Sequence, residues 1–157
     1  MDFSFSPEQD QLRAQARSFL EKRYPFARLA EIATSEDGWD RASWPELARL
    51  GWTGASIPEA QGGAGLSFVE EAIVFEELGR ALYSGPYFST VALALPALAC
   101  APDLLAQVAS GAFTATLASP AANASRPAVT RPGAINGRVI LKKPRIGLAP
   151  MTSAASS

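Results

Sequence analysis

The sequence predicts a mainly α-helical chain, with a helical bundle over residues 1–111 followed by an incomplete antiparallel β-segment over residues 112–145. Three observations carry that reading. Two capping boxes, Ser6 with Gln9 and Ser67 with Glu70, each open a stretch whose apolar residues recur every three or four positions. The period then changes near residue 112, where Phe113-Thr114-Ala115-Thr116-Leu117 alternates as a strand does. Asn136-Gly137, between Ala134-Ile135 and Arg138-Val139-Ile140-Leu141, is a hairpin signature.

Taken in order, Ser6 caps a first helix, Pro7 suits its first turn, and Leu12, Ala16, Phe19 and Leu20 form its apolar stripe. Arg13, Arg17 and Glu21 fall on the opposite side, and the helix ends at Tyr24-Pro25. A weaker amphipathic turn around Leu29, Ile32 and Ala33 leads into the polar run Thr34-Ser35-Glu36-Asp37-Gly38. A helix from Trp44 to Leu50 stops at Gly51, which suits a left-handed C-terminal position. The loop from Trp52 to Leu66 is glycine-rich but contains neither G-x-G-x-x-G nor G-K-S/T, so its spacing makes no phosphate cradle. Ser67 opens the clearest helix, with Phe68, Ala72, Phe75, Gly79 and Leu82 at helical intervals. After the break Tyr83-Ser84-Gly85-Pro86 comes the charge-free segment Tyr87 to Cys100, apolar on every side, which reads as a core helix. A last helix opens at Pro102-Asp103 and closes at Ser110-Gly111. Residues 146–157 lack periodicity and are expected to be a disordered tail.

Composition removes much chemistry. The chain has no histidine and one cysteine, Cys100, so histidine triads, zinc ribbons, disulfide frameworks and metal sites are not expected. Cys100 reads as a small buried apolar residue. Residues 1–102 carry 14 acids and 8 bases, net −6, while residues 103–157 carry Asp103 against six bases, net +5. That basic half has one aromatic residue, Phe113, so it lacks the stacking side chains of a nucleic-acid binder. The start of the sequence has no basic, apolar leader. The apolar run Val91 to Ala101 is too short to span a bilayer, so no membrane is expected and the localisation expected is cytoplasmic.

Few residues suggest catalysis. Glu70 and Glu77 fall on one ridge of the Ser67 helix and Glu76 is placed to pair with Arg80, which suits solvated structure. Glu71 projects onto an apolar face between Leu78 and Leu82. Two readings stand: a first-turn carboxylate that meets an arginine of another element, or a buried base with a raised pKa. The segment Tyr87 to Cys100 also has two readings, a plain core helix or a wall whose small residues Ser89, Thr90, Ala92 and Ala94 leave room for an apolar ligand.

The order of these features resembles the N-terminal part of an acyl-CoA dehydrogenase over about residues 1–141. The elements that carry the resemblance are Phe3-Ser4-Phe5-Ser6-Pro7-Glu8-Gln9, Leu50-Gly51-Trp52, Ile57-Pro58-Glu59 with Gly62-Gly63-Ala64-Gly65, and Phe75-Glu76-Glu77-Leu78-Gly79-Arg80. The spacing Leu82-Tyr83-Ser84-Gly85-Pro86-Tyr87 resembles the branch that includes bacterial steroid-side-chain enzymes. The resemblance implies a helical domain of the acyl-CoA dehydrogenase type, an acyl-CoA substrate, and FAD as hydride acceptor in α,β-dehydrogenation. It places Phe88, Ser89, Thr90 and Val91 against the acyl chain, and Leu117, Ala118 and Ser119 on the strand that touches the flavin. Where the family reads T-E-P-x-A-G-S-D, this chain has Ala118-Ser119-Pro120-Ala121-Ala122-Asn123-Ala124-Ser125. No glutamate here corresponds to the family's catalytic base, so the implied catalytic set is empty. The expectation is a truncated family member that contributes the acyl-pocket side and is inactive alone. It would work as a homo- or hetero-oligomer, the other reading being a non-catalytic interaction module or partner subunit.

Overall fold

The computed structural model describes residues 4–118 and, as backbone, the strand at 138–142. Its elements are α1 (Pro7–Arg23), α2 (Phe26–Thr34), α3 (Ser43–Arg49), α4 (Phe68–Arg80), a π-helical segment (Phe88–Ala94) continuing into the short α5 (Leu95–Ala97), α6 (Pro102–Ala109), β1 (Thr114–Ala118) and β2 (Arg138–Lys142). Two single 3₁₀ turns, Trp52–Gly54 and Glu59–Gln61, shape the loop between α3 and α4. The helical bundle followed by a β-segment is the architecture the sequence predicts.

Both capping boxes form. Ser6 Oγ accepts from the Gln9 N–H at 3.2 Å while Gln9 Oε1 accepts from the Ser6 N–H at 3.0 Å. On α4, Glu70 Oε2 accepts from the Ser67 N–H at 2.9 Å. The two boxes also bond each other, because Gln9 Nε2 donates to Glu70 Oε1 at 2.7 Å. Farther along, Arg13 meets Glu76 and Arg17 meets Glu77, each at 2.7 Å. These three bonds advance along both helices together, so α1 and α4 lie side by side and point the same way.

That pairing corrects the expected phase of α4. Its buried residues are Glu71, Ile73, Val74, Glu77 and Leu78, whereas Phe68 and Leu82 are 78% and 69% exposed. Glu76 pairs with Arg13 and not with Arg80, and Glu77 is buried against Arg17 instead of being solvated. The cause is long-range: α1 brings two guanidinium groups to one side of α4, and their ion pairs offset the cost of turning a carboxylate inward.

The core gathers around Trp44 and Leu47 of α3, with Leu20, Tyr24, Trp52, Val74, Tyr87 and Val108 packed about them. Edge-to-face ring contacts join Phe19 to Trp52 and Phe75 to Tyr87, with centroids 5.6 and 4.9 Å apart. Three buried hydroxyls tie the layers together. The Tyr87 hydroxyl donates to the Trp52 carbonyl at 2.9 Å, and that of Thr53 to the Ala109 carbonyl at 2.9 Å. Thr90 Oγ1 both donates to the Ala115 carbonyl and accepts from the Ala115 N–H, each at 3.0 Å.

β1 and β2 pair antiparallel, with Thr114 opposite Lys142 and Ala118 opposite Arg138. Ala115, opposite Leu141, turns its N–H and carbonyl to the other edge, where Thr90 takes both. The π-helical segment thus docks on β1 as a neighbouring strand would. The Asn136-Gly137 turn and its partner run Ala134-Ile135 lie outside the described residues, as does the tail from 146.

The charge-free segment is not apolar core on all sides. Thr90, Ala94 and Leu98 are buried, but Phe88 and Leu93 are exposed, and Cys100 is exposed too. Pro96 has no N–H to give the Ala92 carbonyl, and the chain upstream of it widens into the π register. No helix among the described residues is long and apolar enough to cross a membrane.

Candidate functional site

A cavity of about 520 Å³ opens between the glycine-rich loop, α4, the π-helical segment and α6. Its size falls within the range of small-molecule sites. Each wall follows from local structure. Residues 88, 91, 92, 95, 96 and 99 recur every three or four positions and form one helical face, carrying Phe88, Val91, Ala92, Leu95, Pro96 and Ala99. From α4 come Phe68, Glu71 and Phe75, again one face. Ser56, Ile57 and Pro58 close the third side, and Leu105 of α6 the last.

The loop wall is fixed by close backbone approach. Ile57 N–H donates to the Gly54 carbonyl at 3.1 Å and the Ile57 carbonyl accepts from the Gly65 N–H at 2.9 Å. A side chain on Gly63 would put its Cβ 2.0 Å from the Ile57 oxygen, so only glycine lets the loop fold back there.

Thirteen residues line the cavity and two of their side chains carry oxygen, those of Ser56 and Glu71. Glu71 is 6% exposed and makes no side-chain hydrogen bond or ion pair among the described residues. The arginine partner allowed by sequence reasoning is absent there. Burial drives the Tyr87 hydroxyl well above the ordinary phenol range, and the nearby Glu71 carboxylate adds to that rise. Glu77, six residues along the same helix, is 1% exposed. The Arg17 guanidinium, bonding it at 2.7 and 3.0 Å, holds its carboxyl below the usual range. Glu70 is pushed down to about 2 by the Ser67 hydroxyl and then by the Gln9 amide.

The four residues expected against an acyl chain separate. Phe88, 62% exposed, stands at the cavity mouth, and Val91 lies buried in its wall. Thr90 turns away, its hydroxyl occupied by β1. Ser89 Oγ donates to the Pro86 carbonyl at 3.1 Å. Phe75 and Phe68 belong to the stripe that helical periodicity marks on α4, whereas Ile57 and Leu105 are lining residues it does not single out; Ile57 and Phe75 lie inside the motifs that carry the resemblance.

Of the residues expected against a flavin, Leu117 is half-buried on β1, Ala118 ends that strand, and Ser119 lies outside the described residues. Neither Leu117 nor Ala118 has a side-chain donor or acceptor.

Residues 6–112 match the family model of the acyl-CoA dehydrogenase N-terminal domain. The chain is 35% identical over 114 residues to the acyl-CoA dehydrogenase IpdE2 of Mycobacterium tuberculosis, covering 70% of this chain and 36% of the relative. It is 30% identical over 96 residues to an acryloyl-CoA reductase (NADH) of Anaerotignum propionicum, covering 61% and 24%. Among solved structures, it superposes on a variant of the Tcur3481–Tcur3483 steroid ACAD with a TM-score of 0.62 at 34% identity, covering 68% of this chain and 31% of that one. The ChsE4–ChsE5 complex from Mycobacterium tuberculosis matches with a TM-score of 0.65 at 28% identity, covering 73% and 33%. The chain thus spans about a third of the length of these relatives, and a quarter in the reductase.

Proposed function

Because the chain belongs to the acyl-CoA dehydrogenase family, we propose that its described residues build one wall of an acyl pocket for FAD-dependent α,β-dehydrogenation of an acyl-CoA thioester. Members of this family generally use FAD. The observation that carries the proposal is the cavity itself, walled by the Phe88–Ala99 face and open at Phe68 and Phe88.

In this reading Val91, Leu95, Ile57 and Leu105 receive the apolar tail. Each CH₂ they bury contributes about 0.8 kcal/mol, and the tail shields the reacting carbons from water. Thr90 positions the wall by anchoring it to β1. FAD, when bound, would supply the hydride acceptor, and the base for the α-proton would come from outside the described residues. These residues alone then bind acyl-CoA without turning it over.

Calorimetric titration of the 157-residue chain with a medium-chain acyl-CoA tests this. The expected result is binding that free CoA does not reproduce, that Ala92→Trp abolishes by filling the cavity, and that yields no enoyl product. A yellow chain whose flavin bleaches on adding thioester would refute the division of labour. Lack of binding would refute the pocket.

A second reading, that the chain acts as a partner subunit, draws on different observations. Phe26 is 86% exposed and Leu82 69%, and two solved relatives are named as two-component assemblies. Sedimentation at high concentration separates the readings, since a clean monomer counts against the partner role and self-association supports it.

A further inference from the structure

Thr90 sits where the cavity wall meets the β-segment. It is 0% exposed, and its hydroxyl donates to the Ala115 carbonyl and accepts from the Ala115 N–H, each at 3.0 Å. Those are the two bonds a neighbouring strand would give to one residue of β1. The next residue along, Val91, is buried in the cavity wall, with Phe88, Ala92 and Leu95 of the same stretch. One short stretch therefore has the cavity on one side and β1 on the other. The Thr90 N–H donates to the Pro86 carbonyl at 3.0 Å, so the residue is tied into its own helix as well as to the strand.

We infer that Thr90 is a positioning residue: its hydroxyl fixes the cavity wall to β1, so that an acyl chain seated against Val91 and Leu95 is felt at Ala115 and Leu117. This rests on reading the cavity as the acyl pocket. In that reaction the acyl carbons must meet a hydride acceptor held by other elements, and a small error in relative placement is costly. A direct tie between the wall and the strand limits that error.

The hydroxyl suits this task better than packing does. Apolar contact is non-directional and lets two surfaces slide, whereas a donor and an acceptor on one oxygen set both distance and direction. Ala115 is buried too, so parting the pair would leave its N–H and carbonyl without water to replace the bonds. Wall and strand then move together. A tie that served stability alone would weaken the fold when lost but would carry no signal from a ligand.

The test follows the 157-residue chain by amide and methyl NMR during titration with octanoyl-CoA, in wild type, Thr90→Ser and Thr90→Val. Thr90→Val keeps the branched shape and removes both bonds, while Thr90→Ser keeps the hydroxyl. In wild type and Thr90→Ser, the Ala115 and Leu117 amides are expected to shift with the same concentration dependence as the Val91 methyls. In Thr90→Val the Val91 methyls are expected to shift while the two amides stay still. The Ala115 amide in that variant is expected to exchange with solvent about tenfold faster, the effect of losing one such bond. Amides that respond in Thr90→Val as in wild type overturn the inference, because the link then runs through packing. A response lost in Thr90→Ser with binding kept overturns the role of the hydroxyl. Amides silent in wild type while the Val91 methyls respond overturn the inference and leave the pocket intact, an arm that decides even where Thr90→Val does not fold. Silent Val91 methyls in wild type overturn the acyl-pocket reading and this inference with it.

Discussion

Glu71 and Glu77 lie on one helix, are both buried, and have opposite surroundings. Around Glu77 the α1–α4 seam is polar: two arginines of α1 meet two glutamates of α4, and the capping boxes at the same end bond to each other. Around Glu71 the other side of α4 is apolar and opens on the cavity. A closed polar seam is what holds a bundle together. An open, mostly apolar wall around a cavity of this size is the form small-molecule sites take. The seam carries stability, and the wall carries the function proposed for the cavity.

The strongest way to break this contrast is to collapse the wall. Gly63→Val sets a side chain into the Ile57 carbonyl and is expected to cost about 3 kcal/mol, near the top of the range for overpacking, in urea unfolding. The next effect belongs to the seam. Glu77→Ala removes a buried, doubly bonded carboxylate and is expected to cost about 2 kcal/mol, below the range for a fully buried pair because Arg17 reaches water. Ser67→Ala, which removes a cap and the hydroxyl bond to Glu70, should cost about 1 kcal/mol. Glu71→Leu sharpens the comparison by its sign: removing a carboxylate without a partner is expected to leave stability unchanged or to raise it by up to about 1 kcal/mol.

The acid limb of stability separates the two sides as well. The folded-state pKa of Glu77 lies below its unfolded value of about 4.3, so its contribution is present above that pH and lost as pH falls through the depressed value. Glu70 acts in the same direction, its loss extending down to about pH 2. Unfolding midpoints measured from pH 6 to pH 2 should therefore fall less steeply in Glu77→Gln than in wild type. An equal slope in the two proteins would mean that the Arg17–Glu77 pair is not part of what the seam contributes.

Local signals were legible in the sequence, and long-range ones were not. Ser6, Gln9, Ser67 and Glu70 mark two helix starts because a capping box is made within four residues. Gly51 and Gly111 mark helix ends because both stand at positive φ. The burial of Glu77 was out of reach, since its partner Arg17 lies on another helix, and periodicity assigned α4 the wrong inward face. The cavity was half legible. The small residues from Tyr87 to Cys100 suggested a ligand wall, but its closure depends on Ile57, Phe75 and Leu105 from three other elements, and on a π register that Pro96 alone does not announce. Thr90 read as a pocket residue by its position, and only the pairing of Ala115 shows where its hydroxyl goes.

The most direct measurement of the wall's role is methyl NMR of the 157-residue chain during titration with a medium-chain acyl-CoA. Shifts are expected at Val91, Ile57 and Leu105, with Leu12 and Leu20 on the α1 side unmoved. Shifts on the α1 side with Val91, Ile57 and Leu105 silent would contradict the placement of the acyl chain against the π-helical segment.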